Sequence, residues 1–124
     1  MLIKKERGFS LVEMLVAMAI LGIISVGFLS ALSISSKAAT SIDNMDTGRA
    51  IAQSQMEYVK TQAFQSSGTY AINTGLMATY PGYTVSIPQA SAVAQRDAFI
   101  QKIVVIVSHA GKEVARLEDY KVKR

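Results

Sequence analysis

The chain has no cysteine among its 124 residues, so it can form neither a disulfide nor a thiolate metal site. It has one histidine, His109, and without a second imidazole or any thiol a zinc site has too few ligands. His109 is therefore expected to be a surface or turn histidine. Proline occurs only at Pro81 and Pro88, so the first eighty residues carry no proline break to a helix. No glycine-rich phosphate loop is present, and any ATP-driven step must belong to a separate ATPase. Charge is sparse as well. Only 18% of residues are charged and the net charge is +4. Lys4, Lys5 and Arg7 against Glu6 supply +2 of that, leaving +2 for all the rest. A balance this mild describes a solvated surface and argues against nucleic acid as a partner.

What the chain does have is a concentrated apolar run. From Met14 to Ile34 it holds 21 residues without a charge. As a helix such a run covers about 30 Å, the thickness of a bilayer's hydrocarbon core. Immediately before it stand the basic residues, then Gly8 and Phe9, and one acid, Glu13, lies just inside the apolar part.

Three readings compete for this N-terminus. A secretory signal peptide has the basic start and apolar middle, with Ala38-Ala39 as small residues near a cut. Its apolar stretch usually spans about 7–15 residues, however, and an unpaired carboxylate would oppose insertion by a few kcal/mol. An ordinary signal anchor accounts for orientation, with Lys4, Lys5 and Arg7 kept in the cytoplasm. It leaves unexplained both Glu13 and the sharp Arg7-Gly8-Phe9 edge.

The third reading accounts for both. Gly8-Phe9-Ser10-Leu11-Val12-Glu13 resembles the processing site of type IV pilin-like proteins, the class of pilins and type II secretion pseudopilins. The resemblance implies a cut between Gly8 and Phe9 by a prepilin peptidase at the cytoplasmic membrane face. Methylation of the new Phe9 amine would follow, leaving 116 residues (124 minus 8). It implies too that Glu13 sets subunit register by meeting the terminal amine of a neighbouring subunit. The physics agrees. A glycine lets extended backbone enter a protease site, and a carboxylate one turn into a helix is favoured by the macrodipole. In hydrocarbon, a subunit that brings a counter-charge is preferred over lipid.

Within the span, Gly22, Gly27, Ala31 and Ser35 are small, and Gly27, Ala31 and Ser35 share one helix face at a spacing that permits close helix packing. Many pilins have a proline in this segment; here Ser30 stands at that place, and Gly22 and Gly27 are left to loosen the helix. Beyond it, Ile42, Met45, Ala52, Met56, Val59 and Ala63 recur at three-four spacing, interrupted by Arg49, and predict an amphipathic helix with that stripe buried. Phe9 to about Phe64 thus reads as one helix, on the order of 80 Å if unbroken. A coiled coil is the alternative, with barely three heptads to support it.

Gln65-Ser66-Ser67-Gly68 ends the helix. Tyr70–Asn73 reads as a short strand, Tyr80-Pro81-Gly82-Tyr83 as a turn, Tyr83–Ile87 as a strand stopped by Pro88, and Gln89–Asp97 as a loop. Phe99–His109 carries the strongest strand signal. Ala110-Gly111 is a two-residue turn into a second strand, Lys112–Val122. The predicted fold is α+β and pilin-like: a long N-terminal transmembrane and amphipathic helix packed on a small antiparallel sheet of three or four strands. Its parts are a leader over 1–8, an assembly helix over 9–34, a helical continuation over 35–65 and a sheet region over 66–124.

No catalytic constellation stands out, and no enzyme activity is expected. Asp43, Asp46, Glu57 and Glu118-Asp119 form no dense loop of oxygen ligands for calcium, which some pseudopilins bind. Lys121, Lys123 and Arg124 read as a solvated basic tail. No cofactor is expected. The resemblance implies a structural subunit of a type IV pilus or type II secretion pseudopilus, a single-pass protein of the bacterial cytoplasmic membrane that later joins an extracytoplasmic filament. Its implied partners are other pilin or pseudopilin subunits, the prepilin peptidase, an inner-membrane assembly platform, and membrane lipid before assembly. Ile51-Ala52-Gln53-Ser54-Gln55-Met56-Glu57-Tyr58 resembles the helix of minor pseudopilins and pilus-modification pilins. The alternatives are a pilin-like DNA-uptake or surface-binding module and an unprocessed membrane-anchored protein.

Overall fold

The computed structural model describes residues 8, 10–92 and 98–124. The chain divides into two units, Met1–Thr40 and Ser41–Arg124. A single helix, α1 (Leu11–Thr61, 51 residues), contributes to both. Its start and end fall within three residues of those read from the sequence.

In the first unit every described side chain from Leu11 to Thr40 is exposed. Leu11 is 80% and Ile23 73% accessible. An apolar surface of this kind is unstable in water, and this helix is long and apolar enough to cross a membrane. Three hydroxyls bond back along it: Ser25 and Ser30 donate to Leu21 O and Val26 O at 2.8 and 2.9 Å, and Thr40 to Ser36 O at 3.1 Å. That pattern conceals hydroxyls inside an apolar helix.

The second unit holds the core. Ile51, Ala52, Met56 and Val59 of α1 pack with Tyr70 and with the sheet residues Ile103, Val105, Val107 and Ala115. The buried stripe is therefore rotated from the expected one. Ala52, Met56 and Val59 are inside, but Ile42 and Met45 are 59% and 42% exposed, Ala63 lies beyond the helix end, and Gly48, Ile51 and Gln55 take the inner face. The contacts explain the change. Tyr83 Oη reaches Asn44 Oδ1 at 3.2 Å, and a Cβ on Gly48 would lie 2.7 Å from Val114 Cγ2, so the sheet presses on the helix from Asn44 onward.

Four strands make the sheet: β1 (Tyr83–Ser86), β2 (Ser91–Ala92), β3 (Ile100–His109) and β4 (Lys112–Val122). β3 is central. β4 pairs along its whole length, while β1 and β2 pair with its two ends, all antiparallel. The strict alternation of buried and half-buried residues along β3 puts Gln101, Ile103, Val105 and Val107 against α1. The β3–β4 turn is the expected two-residue one, with Ala110 and Gly111 both left-handed (φ 50° and 78°). Next to it a register shift between Val107 and Ser108 bulges β4 at Val114.

The expected strand at Tyr70–Asn73 does not form. The segment is extended, but its partners are two glutamine side chains, Gln55 of α1 and Gln62 just past its end. Gln62 accepts from Ala71 N and donates to Ala71 O, both at 2.9 Å; Gln55 accepts from Asn73 N at 2.9 Å and donates to Ala71 O at 3.2 Å. Two glutamines seven residues apart, one in the last turns of α1 and one just beyond it, do what a neighbouring strand would otherwise do. A short helix, α2 (Thr74–Thr79), follows where no helix was expected, with the Asn73 side chain accepting from Gly75 N and Leu76 N. Tyr80–Tyr83 is the turn expected, with Gly82 at φ 86°. The region read as the loop Gln89–Asp97 contains β2, and its residues 93–97 lie outside those described.

Candidate functional site

The N-terminal motif sits at the start of α1. Ser10 is the residue before the first helical one, and its Oγ accepts from Glu13 N at 3.2 Å while its carbonyl accepts from Met14 N at 3.1 Å. Ser10 is thus the helix N-cap, and Ser10 and Glu13 have the Ser-x-x-Glu spacing of a capping box. The sequence reading passed over Ser10, although that spacing was the signal that could have found it. The cap fixes where the helix begins, and so places Glu13 in the first turn, where a carboxylate is favoured by the helix dipole.

Glu13 is exposed beside Met14, Ala17, Met18 and Leu21, which with it line a shallow groove that is almost wholly apolar. Among the described residues the ion pairs are Lys60–Asp119, Lys102–Glu118 and Arg116–Glu113, and none includes Glu13. Gly8 is exposed, with nothing within 4 Å of where a Cβ would be. The same holds for Gly22 and Gly27. Among the described residues nothing therefore requires glycine at these three places. Ala31 shares their exposed helix. Phe9, Lys4, Lys5 and Arg7 lie outside the described residues.

Of the C-terminal basic residues, Lys123 and Arg124 are exposed as expected, but Lys121 is not. Lys121 is only 8% exposed, and its ammonium donates to Val59 O and Lys60 O at 2.8 and 2.9 Å. These are among the last carbonyls of α1, so a lysine from β4 caps the helix C-terminus. The strand alternation that turns Leu117 and Asp119 inward turns Lys121 inward as well. Burial pushes its ammonium below the ordinary lysine range. Beside it Lys60 pairs with Asp119, and that pairing, with the Tyr120 amide, holds the Asp119 carboxyl below its usual value.

His109 is next to the turn, as expected. Its Nδ1 is 3.1 Å from Gly82 O, and since a carbonyl only accepts, Nδ1 carries the proton. Its ring stacks at a tilt on Tyr83, centroids 4.4 Å apart. Among the described residues no three carboxylate or imidazole side chains gather to hold a metal ion. Glu118 is engaged by Lys102 at 2.6 Å and Asp119 by Lys60.

Residues 3–29 match the model of the prokaryotic N-terminal methylation motif. No curated protein and no solved structure matches the chain. The matched span holds Gly8, Phe9, the Ser10 cap, Glu13 and most of the exposed apolar helix. Such a motif implies processing by prepilin peptidase and assembly with other pilin subunits, and the single apolar helix fits anchoring in the inner membrane. Over this motif the chain is similar to type IV pilin-like precursors, and one long apolar N-terminal helix followed by a small antiparallel sheet is consistent with that class.

Proposed function

We propose that the protein is a minor pilin or pseudopilin, a structural subunit cut between Gly8 and Phe9, methylated on Phe9 and assembled through α1. The observation that carries this reading is the methylation motif over residues 3–29, set on a helix whose described apolar side chains from Leu11 to Ile34 are exposed. Glu13 is the assembly residue. A charged carboxylate in hydrocarbon costs about 3 kcal/mol when unpaired. A subunit that brings its terminal ammonium to Glu13 offsets that cost, whereas lipid cannot. The preference therefore selects protein over membrane and fixes the register in which the next helix enters. Gly27 and Ala31, with Ser35, supply a face without bulk, free for a neighbouring helix to approach, and Gly22 adds a bare position on another face. The small size, the absence of cysteine and the resemblance of Ile51–Tyr58 to minor pseudopilin helices support the minor role.

Processing and assembly are tested separately. Mass spectrometry of the membrane-bound protein should find a chain that begins at N-methylated Phe9; an intact Met1 end in the functional protein would refute the proposal. Glu13→Ala and Glu13→Gln should still insert and be cut, yet enter filaments poorly. Normal incorporation of both would remove Glu13 from its role.

A further inference from the structure

A cleft of about 550 Å³ opens where the chain leaves α1 beside the end of β4. Phe64 and Tyr120 give it aromatic walls, and Lys60, Lys121 and Arg124 give it charge. The helix terminus alone would make this spot repel an anion, because Val59 and Lys60 turn their carbonyls toward it. Lys121 reverses the sign. Its ammonium covers both carbonyls and has a third N–H beyond the two they take, with the Tyr70 ring centroid 5.6 Å from the nitrogen. Lys60 shares its charge with Asp119. Arg124 has no ion-pair partner among the described residues. Among the side chains there, three cations stand against one carboxylate, a side-chain balance of about +2.

The strand beside the cleft is also incomplete. β4 pairs with β3 along one side, and among the described residues no strand pairs with its other edge, where the Tyr120 N–H is held by Asp119 Oδ1 at 2.8 Å and those of Arg116 and Glu118 are left for an added strand. An open edge of this length is a template for an added strand. Tyr120, Lys121 and Val122 belong both to that edge and to the cleft wall, so a segment laid along β4 would deliver a side chain into the cleft. The cleft has room for a few side chains and not for a folded partner.

We propose that the cleft and the adjoining edge of β4 bind an extended acidic peptide segment of a partner protein, its carboxylate between Arg124 and Lys60 and its backbone added to β4. The charge selects carboxylates, the aromatic walls accept apolar neighbours of the acid, and the open edge supplies backbone hydrogen bonds. The site is complete in one copy of the chain, whether or not that copy enters a filament.

The test uses the full chain in detergent micelles, with acetylated Glu-Val-Glu-Val-Glu amide as probe and its Gln-Val-Gln-Val-Gln counterpart as control. The acidic peptide should bind saturably, more weakly as salt rises, and should shift the backbone amide signals of Arg116 and Glu118. The glutamine peptide should bind about tenfold less well, and so should the acidic peptide to the Lys60→Gln/Arg124→Gln variant. Lys121 is left intact in that variant because it caps α1, and an unchanged circular dichroism spectrum confirms the fold. Equal affinity for the two peptides, undiminished binding by the variant, or no binding at all overturns the proposal. So does tighter binding of a duplex oligonucleotide than of the acidic peptide.

Discussion

Gln55 and Gln62 make the same kind of bond to the same extended segment, and removing each should nevertheless cost very different amounts. Gln55 is fully buried and Gln62 half-buried. Truncating Gln55 to alanine removes the acceptor of Asn73 N and leaves a void in the core. An orphaned, partly buried amide costs about 1–3 kcal/mol, and the lost side-chain volume adds about 1–2. The carbonyl of Ala71 keeps Gln62 as a donor, so that half of the bond is not lost. Gln55→Ala should therefore destabilise by about 3 kcal/mol, roughly 12–24 °C in the melting temperature of a domain this small. Gln62→Ala exposes its partners at Ala71 to water, which replaces both bonds, and should cost less than about 1 kcal/mol. Gln55→Met keeps the volume and loses only the polar contacts, so it should fall between them, at about 1–2 kcal/mol. Thermal unfolding of the full chain in micelles, followed by near-ultraviolet circular dichroism of the tyrosines, reads all three. Equal losses for Gln55→Ala and Gln62→Ala would refute the reasoning, because burial would then not decide the cost.

Other substitutions probe other contacts. Lys121→Met keeps the aliphatic stem but uncovers the carbonyls of Val59 and Lys60. It should cost about 1–2 kcal/mol and speed amide hydrogen exchange at the end of α1; unchanged exchange there would deny the cap. Ala110→Asn places at φ 50° a residue that tolerates left-handed backbone, and should raise stability by about 0.5–1 kcal/mol in the same melting experiment. Asp119 has a folded pKa below its unfolded value, so its contribution is present above about pH 4 and is lost as pH falls through the lower folded value. Its side chain is 40% exposed, which limits the effect to a few tenths of a kcal/mol, up to about 1. Asp119→Asn should flatten the acid limb of stability against pH by that amount.

What the sequence made legible is what depends on neighbours along the chain. The leader-glycine-acid order, the apolar run, the β3 signal and the Ala110-Gly111 turn are all local patterns, and each was recovered within a few residues. The errors arise where a distant residue decides. Tyr70–Asn73 has strand composition, but Gln55 and Gln62 occupy its backbone groups before any strand can, and those glutamines look like ordinary polar positions of a helix. Lys121 looks like part of a charged tail until β4 is registered against the end of α1, more than sixty residues earlier. Ile42 and Met45 fit the apolar period, yet the end of the β3–β4 hairpin determines where the covered part of the helix begins. Ser10 is the exception. Its spacing to Glu13 is local, and the same acid that invites a reading by charge also marks the cap.

Gly48 and Val114 constrain each other. The hairpin bulge brings Val114 against the bare backbone of the helix, so closely that even one methyl on Gly48 would collide with a valine branch. Neither position is free to vary alone: a larger residue at 48 requires a smaller one at 114. The double change Gly48→Ala with Val114→Ala should be tolerated better than Gly48→Ala by itself, so any redesign of this interface has to treat the two as one choice.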